Sequence, residues 1–393
     1  MDFEFTEAEQ QFRAELRQFL ADELPDWWRS LFVGDERTTP MTRELCGKLA
    51  ARGWLTMSWP REHGGQEAST WSQVVLREEM WSHGEPRGPQ YMNVNYIGPM
   101  IMKFGSSEQK ERFLPPMAGG RVLWCQGFSE PGAGSDLPAL STSARRTDAG
   151  YVVNGQKIWT SYADAPAEWC FLLVRTDPAA RPHQGLSLLL VDMATPGVTV
   201  RPIMALAGPG EINEVFFDDV VVPHDCLLGA ENTAWSMLRT GLALERTGIA
   251  WYATARRFLD RLVEYARTTV VDGEPLAKRP DIRARLAELH CRCEAARLIS
   301  YRAVSLQERG EATTLESAAA WIHGGLVEQF AGQVGAETVG ALGQLHAGDP
   351  HAPIDGWAEF QAVQSIAATI GGGTVDIQRN IVAQAGLGLP RGN

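Results

Sequence analysis

The sequence predicts an α+β protein in which helical and strand-forming segments occupy separate blocks of the chain. Apolar residues recur every three to four positions up to about residue 122, and again from about residue 230 onward. Between these blocks, short β-rich runs are divided by Pro and Gly turns. Because the two patterns do not alternate along the chain, helices and strands belong to separate regions. We therefore predict an N-terminal α-helical domain (1–122), a middle β domain built as a small barrel or sandwich (123–229), and a C-terminal helical bundle domain (230–393).

The N-terminal block begins with a strong helix signal. Thr6 and Glu9 form a T-x-x-E capping box. The apolar residues that follow share one helix face, and they are Phe12, Leu16, Phe19 and Leu20. Further helices are predicted over 43–52 and 70–81. The segment SSEQKERFLPPM (106–117) starts a charged helix, which we expect Pro115 and Pro116 to stop.

The spacing of apolar residues differs between the middle block and the C-terminal block. The predicted strands include FLLVRT (171–176), LSLLLVDM (186–193), VTVRPI (198–203) and EVFFDDVVV (214–222). Asn154 and Gly155 follow an apolar pair, and this dipeptide favours a tight turn. We therefore expect a β-hairpin with Asn154–Gly155 at its tip. In the C-terminal block, helices are predicted over 233–257, 282–308, 318–331 and 377–385.

Charge and cysteine content exclude several classes of function. The net charge of −12 argues against a nucleic-acid surface and against binding to anionic membranes. The six cysteines lack C-x-x-C spacing, which favours reduced structural thiols over a metal site. No stretch approaches 18 consecutive apolar residues, and the acidic N-terminal segment has no apolar core. We therefore expect a cytoplasmic protein with no signal peptide, no membrane span and no metal.

The most informative stretch lies at the start of the middle block. The turn FSEPGAGSD (128–136) contains Gly132 and Gly134, which let backbone N–H groups approach a ligand closely. Taken alone, this turn favours a purely structural role. The segment NGQKIWTS (154–161) follows it along the chain. No G-x-G-x-x-G motif is present, so a Rossmann dinucleotide fold has no sequence support.

Together, FSEPGAGSD and NGQKIWTS resemble the acyl-CoA dehydrogenase family, flavoproteins that desaturate acyl-CoA thioesters between Cα and Cβ. The loop WPREHGG (59–65) and the run Q-K-x-x-x-L-P (109–115) also match this family. The resemblance covers nearly the whole chain and is weakest from about 330 to 365. It implies a helical domain, a β domain and a C-terminal four-helix bundle. It also implies FAD as the cofactor, an acyl-CoA substrate, and electron-transfer flavoprotein as the electron acceptor.

The resemblance assigns roles to individual residues. The flavin would be contacted by Gln126, Phe128, Ser129, Trp159, Ser161 and Thr374. Among these, Trp159 would pack beside the ring and Ser161 would bond its edge. Ser135 would reach the CoA part of the substrate. Because the chain has 13 tryptophans, a structural core role for Trp159 stays open as the alternative.

The catalytic base is implied by a departure from the commonest family pattern. Most members carry the base in a late Tyr-Glu-Gly-Thr loop, and here Gly372 stands at the carboxylate position. A branch of the family instead uses a Leu-x-x-Glu-Arg segment, which this chain matches at 242–246. Glu245 is therefore the predicted base, with a solvated surface charge as the alternative. Apolar neighbours would raise the pKa of Glu245, and Arg246 would limit that rise.

The late loop also bears on the substrate. In the family, the backbone N–H at position 372, together with a flavin ribityl hydroxyl, bonds the thioester oxygen. Gly371 and Gly372 both replace residues with side chains. Their small size predicts room for a wide or branched acyl group, such as a sterol side chain.

A second departure concerns assembly. The family pattern Tyr-Ala-x-x-Arg-x-x-Phe-Gly-x-Pro-Leu provides an Arg for the FAD pyrophosphate of a neighbouring subunit. Here Thr269 stands at the Arg position and Asp272 at the Phe position. This favours an α2β2 heterotetramer in which a related subunit provides the Arg. The alternative is a homotetramer in which Arg267 or Lys278 reaches the phosphates.

Two further functions share this fold. The chain could be a flavin-binding partner subunit without activity of its own, or a flavin-dependent monooxygenase. Glu245 argues against both, since neither function needs a base directed at a thioester.

Overall fold

The computed structural model describes residues 4–164, 167–206, 208, 212–238, 247–311 and 313–390. Contacts within the chain group it into two compact units. The helical unit comprises Met1–Leu24, Thr70–Gly84 and Arg246–Asn393, and the mixed unit comprises Pro25–Ser69 and Glu85–Glu245. These units follow contacts in space, whereas the predicted domains follow the order of the chain. The domain boundaries stay a prediction.

The described helices lie on both sides of the β-rich block, and the predicted α+β fold class is confirmed. They are α1 (Glu7–Glu23), α2 (Thr38–Ala51), α3 (Thr70–Ser82), α4 (Gln90–Met92), α5 (Gly98–Phe104), α6 (Ser107–Ala118), α7 (Ile249–Thr268), α8 (Pro280–Glu308), α9 (Thr314–Val339), α10 (Trp357–Ala367) and α11 (Val375–Ile381). Two π-helical segments adjoin them, Asn93–Ile97 and Val382–Gly386. None of the described helices is both long and apolar enough to cross a bilayer.

The first helix begins as the sequence predicts. Thr6 accepts the Glu9 N–H, and the Glu9 carboxylate accepts the Thr6 N–H, which completes the capping box. Leu16 and Leu20 are fully buried on the inner face of α1. Their burial holds α1 against the other helices of its unit.

Helix α6 does not stop at its two prolines. It begins at Ser107 with a capping box between Ser106 and Gln109 and continues through Pro115 and Pro116 to Ala118. The prediction that the prolines stop this helix is therefore wrong. Each proline removes one N–H donor, so the helix loses two backbone bonds near its end yet continues for two residues beyond Pro116.

The mixed unit is built on one eight-stranded sheet, which follows the order β6–β7–β3–β2–β4–β5–β8, with β1 paired to β4. Its strands are β1 (Trp124–Gly127), β2 (Ser143–Thr147), β3 (Gly150–Ser161), β4 (Trp169–Arg175), β5 (Leu186–Asp192), β6 (Val198–Pro202), β7 (Ile212–Val222) and β8 (Leu227–Leu228). Pairing is mostly antiparallel, but β1 and β2 both run parallel to β4. The central strands β4 and β5 are almost wholly buried, as their continuous apolar sequences indicate.

The predicted hairpin at Asn154–Gly155 is wrong, because β3 runs straight through this dipeptide. The Asn154 side chain exchanges two hydrogen bonds of 2.9 Å with Asp219 of β7, and the register of the two strands shifts there. Gly155 has a φ of +151°, and a Cβ on it would lie 2.5 Å from Thr142 Oγ1. The glycine therefore serves a β-bulge and a close strand contact, not a turn.

The helical unit is tied together by a buried acid. Glu78 of α3 accepts hydrogen bonds from the Tyr252 and Tyr301 hydroxyls, both at 2.7 Å, and from Arg13 at 2.6 Å. These bonds join α1, α3, α7 and α8. Helix α7 begins at Ile249, after Gly248 in the left-handed conformation. Part of the predicted helix 233–257, residues 239–246, lies outside the described residues.

A short hairpin connects α7 to α8. Its strands are β9 (Val270–Val271) and β10 (Glu274–Pro275), which pair antiparallel. Asp272 and Gly273 form its tip, with φ values of +51° and +84°. Two residues with positive φ form the turn type that favours Asp-Gly, which explains the aspartate at this position.

Candidate functional site

Two motif segments of the mixed unit, FSEPGAGSD and NGQKIWTS, are joined by a buried ion pair. Lys157 Nζ lies 2.9 Å from Glu130 Oε1, and the same ammonium donates to the Phe128 carbonyl at 3.0 Å. Beside it, the Ile158 N–H donates to the Ser129 carbonyl at 2.9 Å. The two motifs therefore meet in space and form one structural element.

The Glu130 carboxylate organises the loop that surrounds it. It accepts the Ser141 and Thr142 N–H groups at 2.7 and 2.8 Å, and the Ser141 hydroxyl at 2.8 Å. Burial alone would raise the pKa of Glu130, but the Lys157 charge and these hydrogen bonds lower it to about 2. Burial lowers the pKa of Lys157 to about 8, and attraction to Glu130 limits that fall. Both groups are therefore charged at neutral pH and depend on each other for compensation.

Trp159 lies next to this ion pair and is turned outward. Its side chain is 57% exposed, so it is not a core tryptophan. Its φ is +60°, and the β3–β7 register shifts between Lys157 and Thr160. A left-handed conformation costs a bulky residue about 1–3 kcal/mol, and such strain concentrates at ligand sites. The bulge therefore leaves the Trp159 indole exposed beside β3.

The other predicted flavin contacts of the mixed unit lie on β1, directly after it, or at the end of β3. Gln126 is on β1, where it pairs with Phe171 of β4, and the Phe128 ring lies 6.0 Å from the Phe171 ring. Ser129 follows Phe128, and Ser161 ends β3. All four predicted contacts are half-buried, so each keeps some surface for a ligand.

Ser135 lies on the exposed part of the loop. The loop closes through paired hydrogen bonds of 3.0 Å between Glu130 and Ala133. Beyond it, Ser135 is exposed and makes no side-chain hydrogen bond among the described residues. Its role toward CoA stays a prediction.

The late glycine loop belongs to the helical unit, between α10 and α11. Thr374 is the N-cap of α11, and its hydroxyl oxygen accepts the Ile377 N–H at 3.1 Å. This local role is sufficient to explain a threonine there. The contact of Thr374 with a cofactor stays a prediction.

Gly372 is small for a reason that the sequence does not reveal. Its φ is +67°, and a Cβ on it would lie 2.6 Å from Cζ2 of Trp321. The Trp321 indole takes the space beside Gly372, so Gly372 does not leave the room for a wide acyl group that its small size predicts. Gly371 differs, since the nearest atom to a Cβ there would be the Ala367 carbonyl oxygen at 3.6 Å.

Glu245 and Arg246, the predicted base and its neighbour, lie outside the described residues. Their roles stay predictions. Within the described ranges, no group of three or more His, Cys, Asp or Glu side chains is placed to hold a metal ion.

Comparison with known proteins identifies the family. Three family models cover the chain in order: the acyl-CoA dehydrogenase N-terminal domain matches residues 6–121, the middle domain 125–220, and the C-terminal domain 232–387. This chain belongs to the acyl-CoA dehydrogenase family. It is thus an oxidoreductase of a family whose members are FAD flavoproteins.

Several mycobacterial acyl-CoA dehydrogenases match over their full length. Acyl-CoA dehydrogenase IpdE1 of Mycobacterium tuberculosis is 36% identical, with 97% of this chain and 98% of the relative covered. FadE26 of the same organism is 32% identical, with both chains fully covered.

Solved acyl-CoA dehydrogenase structures match equally completely. The ChsE4–ChsE5 complex from Mycobacterium tuberculosis has a TM-score of 0.92 at 32% identity over the whole of both chains. A structure described as the Tcur3481–Tcur3483 steroid ACAD has a TM-score of 0.90 at 32% identity, also with both chains fully covered.

Three residues important to the acyl-CoA dehydrogenase site did not emerge from the sequence: Glu130 and Lys157 as a pair, and Trp321. Lys157 could have been found, because it shares the inward-facing parity of Tyr151 and Val153 on β3, and a buried lysine requires an anion. Trp321 offered no such signal. It lies far from Gly372 in sequence, and only the packing of α9 brings it there.

Proposed function

We propose that this chain desaturates a bulky acyl-CoA thioester between Cα and Cβ, with FAD as its cofactor. The observation that carries the proposal is the Glu130–Lys157 ion pair, which joins the two motif segments and leaves the Trp159 indole exposed beside them. A structural turn alone would not need a buried ion pair, a strained tryptophan and half-buried polar side chains on one surface.

The residues of the mixed unit are suited to a flavin. Trp159 offers an exposed aromatic face, and Gln126, Ser129 and Ser161 offer polar atoms that keep some exposure. These groups, with Phe128, would hold and orient the ring system. Bound there, FAD would accept the hydride that leaves the substrate Cβ.

The proton chemistry falls to Glu245. Its carboxylate would take the α-proton of the thioester, and Arg246 beside it would tune the basicity of that carboxylate. The Gly372 N–H would donate to the thioester carbonyl and stabilise the charge that develops as the α-proton leaves.

A bulky acyl group is supported by two observations. Position 371 has open space around it, at the place where the family pattern Tyr-Glu-Gly-Thr has its tyrosine. A matched structure is described as a steroid ACAD. We therefore infer a substrate with a ring-bearing or branched acyl chain.

The assembly proposal is a heteromer with a related subunit. Thr269 stands where the family carries the Arg that serves a neighbour's FAD, and a structure with a TM-score of 0.92 is a complex of two different chains. We infer that a related chain provides this cation, that the active assembly is α2β2, and that electron-transfer flavoprotein accepts the electrons. A cytoplasmic location stays part of this proposal.

An anaerobic titration tests the activity. The chain is purified alone and together with a co-expressed related subunit, and the visible flavin spectrum is followed as acyl-CoA is added. A ring-bearing acyl-CoA should bleach the flavin band at stoichiometric amounts, and a short straight-chain acyl-CoA should do so far more slowly. Flavin that no thioester reduces would contradict the proposal, and oxygen consumption by the pre-reduced flavin would then favour the monooxygenase alternative.

The same preparations test the assembly. Full flavin content and full activity only after co-expression would support the heteromer. A homotetramer of this chain alone, with stoichiometric FAD and full activity, would exclude it.

A further inference from the structure

The end of β3 holds two bulky residues in the left-handed backbone conformation. Trp159 and Tyr162 both have a φ of +60°. In this conformation the Cβ lies too close to the following carbonyl oxygen, so the conformation is unfavourable for bulky residues. Ser161 lies between the two, and Trp159 and Ser161 are both predicted flavin contacts. Bonds from outside the segment 159–162 must therefore hold it in place.

The side chain of Asn213 on β7 provides two such bonds. Asn213 is fully buried and lies opposite Thr160 in the register of the two strands. Its Nδ2 donates to the Thr160 carbonyl at 3.1 Å and to Asp164 Oδ1 at 2.9 Å. One amide group therefore holds the chain both before and after the strained residue Tyr162.

An amide is well matched to these two partners. A backbone carbonyl and a carboxylate are both acceptors, and the two hydrogens of one NH₂ group satisfy them together. Leucine has no donor, and an aspartate would face the two acceptors with a further carboxylate. The Tyr162 hydroxyl adds a longer bond, 3.5 Å to the Leu31 carbonyl. The amide of Asn213 is thus the closer tie on this segment.

Keeping an asparagine here has a cost in stability. The side-chain oxygens of Asn213 and Thr160 are both buried and have no hydrogen-bond partner within the described ranges. A buried polar atom without a partner is destabilising, and an apolar pair would avoid that loss. Strand pairing does not require the amide, because β3 and β7 are already paired along most of their length. The asparagine is therefore better explained by the geometry that it imposes on the end of β3.

We propose that Asn213 is a positioning residue that fixes the end of β3 for flavin binding. Through the Thr160 carbonyl and the Asp164 carboxylate, it sets the direction of the Trp159 indole and the Ser161 hydroxyl. Asn213 is itself buried, so it acts through these residues and not by contact with the flavin ring. This role rests on the proposed function, in which Trp159 and Ser161 contact FAD.

The variants Asn213→Leu and Asn213→Asp keep a side chain of similar size and remove the NH₂ group. Each is purified with the co-expressed related subunit, and the dissociation constant of FAD and the circular dichroism of the bound flavin are measured. We expect FAD to bind at least tenfold more weakly. The flavin dichroism should also change, because the ring is held in a different orientation. A role limited to strand stability would leave that dichroism unaltered.

Asn154→Leu is the matched control. Asn154 also joins β3 to β7, through two hydrogen bonds of 2.9 Å with Asp219, but it lies outside the segment 159–164. This variant should lower the melting temperature and keep the FAD affinity and the flavin dichroism of the wild type.

The proposal is overturned if Asn213→Leu keeps the FAD affinity and dichroism of a flavin-loaded wild type, or if Asn154→Leu weakens FAD binding equally. Either result leaves the proposed flavin site intact. A wild-type assembly that binds no FAD would overturn that site, and the role of Asn213 with it. Asn213→Leu brings no charge into the sheet, so it decides the question where melting curves show that Asn213→Asp does not fold.

Discussion

The indole of Trp321 occupies the space that a side chain at position 372 would need. A Cβ there would lie 2.6 Å from Trp321 Cζ2, a distance that real Cβ atoms do not tolerate. The backbone at Gly372 is also left-handed, with a φ of +67°. Two independent constraints, the backbone conformation and the contact, thus keep a catalytic carboxylate out of the late loop.

The variant Gly372→Ala should therefore destabilise the protein. A left-handed alanine costs about 1–2 kcal/mol, and the contact with Trp321 adds to it. Gly371→Ala is the matched control, because its Cβ meets nothing closer than 3.6 Å. The double variant Gly372→Ala/Trp321→Leu should regain the part of the lost stability that is due to the contact. Thermal unfolding measures this gain. Equal melting temperatures for the two alanine variants would contradict this account. The exchange Glu245→Gly with Gly372→Glu should stay inactive for the same reasons.

The width of the acyl pocket is tested at Gly371. Gly371→Tyr should harm turnover of ring-bearing acyl-CoA far more than that of a short straight-chain substrate, because it fills open space. The comparison is the ratio of kcat/KM values for the two substrates, with Gly371→Ala as the small control. Equal losses on both substrates would indicate that the glycine serves the loop conformation instead.

The base is tested by Glu245→Gln. This change removes the proton acceptor and keeps the size of the side chain, so flavin should stay bound while its reduction by acyl-CoA is lost. Stopped-flow absorbance measures the rate. Glu264→Gln, an exposed change on α7, is the control. A reduction rate within tenfold of wild type, a barrier change below about 1.4 kcal/mol, would exclude Glu245 as the base.

Removing one member of the Glu130–Lys157 pair should be costly. Lys157→Met leaves a buried carboxylate without its cation, and we expect a loss of about 3–5 kcal/mol in unfolding free energy, together with weaker FAD retention. Glu130→Gln should also destabilise. The double variant should be more stable than the sum of the two losses predicts, because no unpaired buried charge remains. Chemical denaturation of all four proteins gives the coupling, and strict additivity would show that the two groups act independently.

Glu328 of α9 should make stability depend on pH. Burial raises the pKa of this fully buried acid to about 8, and the hydrogen bond from Gln361 opposes that rise. Cys293 of α8 is near enough for the Glu328 charge to act on its thiol. An unfolded glutamate titrates near 4.5, so the folded state holds the extra proton between about 4.5 and 8.

The stability contributed by protonated Glu328 is complete below pH 4.5 and is lost as pH rises through about 8. The melting temperature of the wild type should therefore fall as pH rises from about 4.5 to about 8. Glu328→Gln should flatten that slope and melt higher at pH 9. Glu337→Gln, an exposed acid on the same helix, should keep the wild-type slope. A slope that Glu328→Gln leaves unchanged would assign the pH dependence to other groups.

Local sequence patterns predicted the structural features that depend only on residues close together in the chain. The capping box at Thr6, the period of the helices and the apolar runs of β4 and β5 all act within a few residues, so the α+β class could be predicted. The motif pair pointed to the family because its residue order alone is distinctive. In contrast, Asn154–Gly155 has the local signal of a turn, and it forms a bulge because Asp219, 65 residues away, bonds to it.

The sequence alone determined the fold class, the family and the set of candidate site residues. Only the tertiary structure shows which of these residues contact partners that are distant in the sequence. Lys157 meets Glu130 across 27 residues, and the Trp321 indole restricts Gly372 from another helix. Burial, charge pairing and steric exclusion depend on distances in space, and a local pattern carries no information about them until the chain has folded.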